Sequence, residues 1–311
     1  MKQGDRVLVI GGGGLVGRAL IESLKARGYS DVLAPDSTTL NCLSSADTTR
    51  YFDEHRPNYV FHLAALVFGL KGNQNNQFLS LTQNTMINHN ALVACAATGV
   101  KKTFFAGTVA SYAFPYIRLP LDESDHLAGP PHAGEFGYAS AKRHALNYLE
   151  IMKADFGLDY VYGMFTNMYG LGDRFDVQNG HVIPSLIRKA AIASETGGVF
   201  EVWGKPSTTR DYMYAADAAA AAVHLMETTS GVVNIASGET TTLDVVVSHI
   251  RESFPGLPDT TWQSDQPVGI PNRSVSTARL SATGFRCAST LQRGIQATCA
   301  WYKQNKKDIR L

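Results

Sequence analysis

The stretch Arg6-Val7-Leu8-Val9-Ile10-Gly11-Gly12-Gly13-Gly14-Leu15-Val16-Gly17-Arg18 decides the fold. Arg6 to Ile10 is an aliphatic run short enough for one buried strand. Val16 to Arg27 follows with apolar residues at 16, 20, 21 and 24, a helical stripe, and Gly28 stands where a helix end favours a left-handed residue. Between strand and helix, glycines fall at 11, 14 and 17. The first permits a tight turn, the second lets backbone approach a pyrophosphate, and the third lets helix and strand pack closely. Backbone N–H groups of Leu15 and Val16 at the helix start suit a phosphate. A strand, this loop and a helix at the chain start together predict dinucleotide binding.

Outward from this unit, short β-branched or aromatic runs alternate with helical stretches. Asp31 to Leu33, Tyr59 to Leu63, Lys102 to Ala106 and Tyr160 to Phe165 read as strands; a short helix capped by Ser45, then Asn84 to Ala97 and Tyr138 to Phe156, read as helices. The expected class is α/β, a Rossmann-type doubly wound parallel sheet. Residues 1–168, with a returning segment near 205–235, form the expected NAD(P)-binding domain. Residues 169–311 form mainly a smaller α/β substrate domain, with a helix near Ile183 to Ser194, a strand Phe200 to Trp203, helices Asp217 to Thr228 and Leu243 to Phe254, a strand Val232 to Ile235, and a closing helix Leu291 to Gln304. A loop from Ser111 to Gly137 carries Pro115, Pro120, Pro130 and Pro131, and loops of that length are often functional.

Composition narrows the function. Of 311 residues, 28 Lys plus Arg face 27 Asp plus Glu, a net charge of +1, which argues against nucleic acid or an anionic membrane as partner. The most apolar run, Ala215 to Met226, is too short to span a bilayer and is broken by Asp217 and His224. The start lacks the apolar core of a secretory signal, so a cytoplasmic location is expected. Cys42, Cys95, Cys287 and Cys299 lack metal-ligand spacing and read as reduced structural thiols, with no metal site.

Tyr138 and Lys142 lie four apart, on one face of a helix. A tyrosine hydroxyl has an ordinary pKa of about 10, so proton exchange near neutrality needs a neighbouring cation. Thr108, after the strand beginning at Lys102, offers a hydroxyl to a substrate carbonyl. Cofactor type is balanced. Asp36, 19 residues after Gly17, suits a free ribose 2′-hydroxyl, whereas Arg18, Ser37, Thr38 and Thr39 suit a 2′-phosphate.

Several further segments carry a resemblance: His62-Leu63-Ala64-Ala65; Gly129-Pro130-Pro131-His132 leading to Phe136-Gly137-Tyr138-Ala139; Thr166-Asn167-Met168-Tyr169-Gly170; Asn179-Gly180-His181-Val182-Ile183-Pro184; Val202-Trp203-Gly204; and Arg210-Asp211-Tyr212. The chain resembles the extended short-chain dehydrogenase/reductases and, within them, the GDP-L-fucose synthases (GDP-4-keto-6-deoxymannose epimerase/reductases), almost end to end. The resemblance implies a Thr108, Tyr138 and Lys142 reductase triad, with hydride passing from a nicotinamide to carbon 4 of the sugar. It implies NADP(H), with NAD(H) as alternative, although the family's basic residues near the second strand read Ala34-Pro35-Asp36 here; the residues expected to hold the cofactor are Gly11, Gly14, Leu15, Val16, Gly17, Asp36, Ala64, Ala65 and Lys142. It implies a GDP-sugar held by Asn167, His181, Val182, Lys189, Trp203, Arg210 and Arg273, and a homodimer packed through the helices Asn84 to Ala97 and Tyr138 to Phe156.

Two further departures stand out. Relatives pair a cysteine with a histidine to invert carbons 3 and 5; His181 matches the histidine, but the family's Ser-x-Cys reads Thr108-Val109-Ala110 here. A methyl group cannot shuttle a proton. The family's Pro-Asp-Gly reads Pro267-Val268-Gly269, which removes an expected polar contact. The resulting expectation is an NAD(P)H-dependent reductase of the 4-keto group of a GDP-4-keto-6-deoxy-hexose or heptose that does not epimerise. The alternatives are a bifunctional 3,5-epimerase/4-reductase in which Ser111 or water replaces the thiol, and a non-catalytic dinucleotide sensor.

Overall fold

The structure, a computed structural model, describes residues 1–178, 180–263 and 270–310. In chain order its elements are β1 (Val7–Ile10), α1 (Leu15–Ala26), β2 (Val32–Leu33), α2 (Ser45–His55), β3 (Tyr59–His62), α3 (Leu70–Asn75), α4 (Gln77–Thr98), β4 (Lys102–Thr108), α5 (Phe136–Phe156), β5 (Asp159–Phe165), β6 (Asn167–Tyr169), α6 (Val182–Thr196), β7 (Phe200–Trp203), β8 (Thr209–Tyr214), α7 (Ala215–Thr228), β9 (Gly231–Ile235), β10 (Thr240–Thr242), α8 (Leu243–Glu252), β11 (Thr260–Gln263), α9 (Ala278–Ala282) and α10 (Leu291–Gln304). Six strands form one parallel sheet in the order β2-β1-β3-β4-β5-β9.

Both faces of that sheet are covered, which is why its strands read as apolar runs rather than alternating ones. Leu8, Phe105 and Tyr162 point to the face packed by α2, α4 and α5, with Phe52, Leu92 and Leu149. Val7, Val9, Phe61 and Phe104 point the other way, against Leu20 and Leu24 of α1 and the alanines 218, 219, 221 and 222 of α7. The small side chains of α7 let it lie close to α1. A third core, with Phe175, Ile187, Phe200, Val202, Val246, Ile250 and Ile295, fills the remaining lobe, which carries the β10-β8-β6 and β11-β7 sheets.

Strand order reverses between β1 and β3, and ligands of open α/β sheets bind outside the carboxyl ends of strands at such a point. There the first glycine meets the chain leaving β3: a Cβ on Gly11 would stand 2.7 Å from the Ala64 nitrogen.

Several elements differ from the sequence expectation. Ser44, not Ser45, caps α2, its hydroxyl accepting from the Asp47 N–H at 3.2 Å. α4 starts at Gln77, seven residues before Asn84, because its first turns are largely exposed and carry no apolar periodicity. β6, β8 and β10 have no counterpart in the sequence expectation, since three to six residues of mixed polarity become strands only through their partners. The Pro267-Val268-Gly269 departure and Asn179 lie outside the described residues.

Candidate active site

The glycine loop is built for an anion. Gly11 has φ +88°, and a Cβ on Gly17 would stand 2.2 Å from the Gly11 carbonyl oxygen, so α1 can lie against β1 only with glycine there. Gly14 caps α1 without a side-chain hydrogen bond and the first turn holds no acid, so the helix-start N–H groups suit a pyrophosphate. Gly13 faces open space. These features fit a dinucleotide at Gly11, Gly14, Leu15, Val16 and Gly17, with Ala64 and Ala65 opposite.

Asp36 is engaged with its own turn: its Oδ1 accepts from the Thr38 N–H (3.0 Å), the Thr38 hydroxyl (2.7 Å) and the Thr39 N–H (2.9 Å). Those bonds hold its carboxyl down at about 2. Arg18 does not reach for a ligand. It donates to the Gly13 carbonyl at 2.7 Å and to the Gly172 carbonyl, clasping the glycine loop to the segment after β6. Arg310 donates to the same Gly13 carbonyl at 3.3 Å, so two guanidinium groups flank the loop.

Thr108 closes β4 and is half-buried; its Oγ1 accepts from the Ala110 N–H at 3.2 Å, which leaves its O–H to donate. Tyr138 is half-buried in the first turn of α5, and Lys142, one turn on, is 1% exposed. The Lys142 Nζ lies 5.7 Å from the Tyr138 ring centroid and 4.8 Å from that of Phe105. Burial pushes Lys142 down to about 7. Burial first, and then the Glu135 charge, push the Tyr138 hydroxyl up, so it holds its proton at neutrality. A protonated phenol half open to solvent beside a cation is equipped to donate to a developing alkoxide.

The His62-Leu63-Ala64-Ala65 segment is tied to this helix from below. Buried His62 Nε2 meets Asn88 Oδ1 at 3.1 Å, and the Asn88 amide donates to the Ala141 carbonyl at 3.3 Å, next to Lys142. Burial, and then the Lys142 charge, hold His62 at about 3, so it stays neutral.

The sugar-side candidates come from the other lobe. His181 caps α6 and its side chain is 52% exposed, facing the nearly buried Asp173 carboxylate at 3.9 Å. Burial works against the imidazolium, but with the ring half open Asp173 outweighs it and raises the pKa of His181. Val182 is exposed beside it. Lys189 holds its ammonium 4.0 Å above the Trp203 ring, a cation–π pair. The Asn167 amide donates to the Asp211 carbonyl at 3.0 Å, and Arg210 to the carbonyls of Thr209 (2.7 Å) and Pro271 (3.2 Å). Arg273 is buried, donating to the Tyr116 hydroxyl at 2.7 Å and pairing with Glu135 at 3.3 Å. Tyr138 with Lys142, Lys189 with Trp203, and Arg210 with Arg273 are therefore neighbours, while His181 stands with Asp173.

Sequence reading missed Asp173, Glu135, Tyr116 and Arg310. Glu135 had a signal, lying three residues before Tyr138 and so one helical turn away. Arg310 had none, because only folding returns the chain end to the glycine loop.

A model of the NAD dependent epimerase/dehydratase family matches residues 7–236. The chain is 30% identical over 308 residues to a probable GDP-L-fucose synthase 1 of Oryza sativa subsp. japonica, covering 97% of this chain and 93% of that one. Among solved structures it superposes on a GDP-L-fucose synthetase from Naegleria fowleri bound to NADP, with TM-score 0.90, 27% identity, and coverage of 100% and 96%. A GDP-6-OMe-4-keto-L-xylo-heptose reductase from C. jejuni shares the fold, with TM-score 0.91, 21% identity, and coverage of 98% and 99%.

Proposed function

Because the chain belongs to the NAD dependent epimerase/dehydratase family, we propose that this NAD(P)-dependent oxidoreductase reduces the 4-keto group of a GDP-4-keto-6-deoxy-sugar without inverting its neighbouring carbons. The reading takes residues 1–168, with a returning segment near 205–235, as the cofactor domain and 169–311 mainly as the GDP-sugar domain.

A reduced nicotinamide, when bound, supplies the hydride. The chain's own groups do the rest. The Thr108 hydroxyl donates a hydrogen bond to the C4 carbonyl oxygen, and Tyr138 transfers its proton to that oxygen as carbon 4 gains the hydride. The C=O becomes CH–OH, leaving a tyrosinate that Lys142 stabilises until solvent restores the proton. Arg210 and Arg273 offer planar forks to the diphosphate, Trp203 and Lys189 flank the nucleotide, and Asn167, His181 and Val182 line the sugar.

One observation carries the absence of epimerisation: the surroundings of position 110. Ala110 is 7% exposed and holds only a methyl group where the family resemblance implies a thiol. Its neighbour Ser111 is fully buried, donating to the Thr108 carbonyl at 2.5 Å and contacting His126 Nε2 at 2.7 Å. A hydroxyl so engaged is a poor substitute for a thiol. His181, facing Asp173, then lacks the thiol that would complete an epimerising pair and serves as a hydrogen-bond donor to the sugar.

The test is turnover of GDP-4-keto-6-deoxymannose with NADPH or NADH in deuterated water. The expected product carries no deuterium at carbons 3 or 5; label there restores the bifunctional reading, and no cofactor oxidation favours the sensor. NADP(H) is the proposed cofactor, supported by the likeness to the NADP-bound GDP-L-fucose synthetase from Naegleria fowleri and by the engagement of the Asp36 Oδ1 with its own turn. Faster turnover with NADH would reverse that preference.

The reading extends to a cytoplasmic homodimer packed through α4 and α5. Among the described residues no helix is long and apolar enough to cross a membrane. Phe78, Met86 and Val93 form one exposed stripe on α4, and Phe136 and Ile151 another on α5. Met86→Glu together with Ile151→Glu is expected to yield a monomer by sedimentation; a persistent dimer places the contact elsewhere.

A further inference from the structure

The Arg273–Glu135 pair joins parts of the chain that the proposed reaction treats separately. Arg273 sits on a segment laid between two others. Its N–H donates to the Thr209 carbonyl of β8 at 3.2 Å, and the neighbouring Ser274 carbonyl accepts from the Leu121 N–H at 2.8 Å, within the long proline-bearing loop. From there its guanidinium reaches Tyr116 of that loop and Glu135, the residue that caps α5. Glu135 is three residues before Tyr138, and the two side chains of the ion pair are 8% and 17% exposed. Arg210 stands close enough for the Arg273 charge to lower its proton affinity, after burial, whereas Arg273 itself is held up against burial by Glu135 and Tyr116. Two arginines are thus neighbours, and the one carboxylate paired with them, Glu135, is held by Arg273.

That carboxylate lies where the proposed function brings a diphosphate. Two positive groups can accommodate one doubly charged ligand. A third negative charge kept in the same partly buried space adds like-charge repulsion, strengthened by the low local dielectric. Glu135 is at the end of α5 and is the more exposed member of the pair, whereas Arg273 is held by the backbone bonds of its segment.

We propose that Glu135 is an internal stand-in anion that occupies the Arg273 fork in the substrate-free protein and yields it to the substrate's diphosphate. The proposal rests on the nucleotide-sugar reading above. Its consequence is mechanical as well as electrostatic. When the diphosphate takes the fork, the tie between the Arg273 segment and the first turn of α5 opens, and a negative charge withdraws from the Tyr138 hydroxyl. Substrate binding in one lobe would then prepare the proton donor in the other.

Titration calorimetry of the full-length protein with GDP as probe decides this by sign. Glu135→Gln is expected to tighten GDP about three- to tenfold, because the competing charge is gone. Glu135→Ala is expected to act in the same direction, and in an Arg273→Met background Glu135→Gln should change nothing. If Glu135 served only to orient Arg273, both substitutions would weaken GDP; weakened or unchanged binding overturns the proposal. Failure of the parent protein to bind GDP at all removes the nucleotide-sugar reading and this inference with it, an outcome distinct from binding that does not respond to Glu135.

Discussion

Replacing Tyr138 with Phe is expected to lower kcat about a hundred- to ten-thousandfold, the usual worth of one positioned proton donor, while cofactor affinity changes little. Phe retains the ring, so the face beside the Lys142 ammonium and the packing of the first α5 turn persist. Only the O–H is lost. Tyr138 fits the role because its surroundings keep it protonated at rest: burial and the nearby Glu135 charge both oppose the phenolate. The measurement is single-turnover oxidation of NADPH by the keto-sugar, beside fluorescence titration of NADPH alone. A variant keeping a tenth or more of the parent rate would give the proton to another group. Loss of cofactor binding would mean that the substitution had disturbed the fold.

Lys142→Met is expected to give an enzyme that is more stable and nearly inactive. Burial places the Lys142 pKa near 7, against an ordinary value near 10.5 in the unfolded chain. Between those values the unfolded state binds the proton and the folded state does not, so parent stability rises with pH across that window. Below pH 7 the folded protein bears the full cost of a buried ammonium. Met fills similar volume without charge, so the gain should be about 1–3 kcal/mol at pH 6 and should vanish toward pH 10. Thermal melts at both pH values read it directly. Equal melting temperatures at pH 6 would mean that the ammonium is already compensated, and the stability argument would fall. Activity should drop at least about a hundredfold at every pH, because Met cannot stabilise the tyrosinate left by proton donation.

These predictions fall on residues that were legible in the chain, because Tyr138 and Lys142 are joined by helical spacing alone. The same holds for Gly11, Gly14 and Gly17, whose role is local geometry: a positive φ at Gly11 and a backbone contact at Gly17 that any Cβ would block. Helices α6, α7 and α10 were legible for the same reason, within one or two residues at their ends. Strands β6, β8 and β10 were not, because a three-residue run such as Thr240–Thr242 has no extended preference strong enough to stand without a partner.

The site divides in the same way. Arg18 read as a candidate phosphate contact from its place beside the glycine loop, yet its guanidinium binds two backbone carbonyls, one 154 residues away. Ser111 read as a possible replacement for a missing thiol, since sequence gives adjacency but not burial; in the fold its hydroxyl is held by Thr108 and His126. The chain by itself determined the parallel α/β class, the dinucleotide loop, the Tyr138 and Lys142 pair and the methyl group at position 110, because each follows from local spacing or from side-chain chemistry. Tertiary structure alone decided which charges face one another. Arg273 with Glu135, Lys189 with Trp203, Asp173 with His181 and Arg310 with Gly13 are set by how distant segments pack, which no residue carries alone.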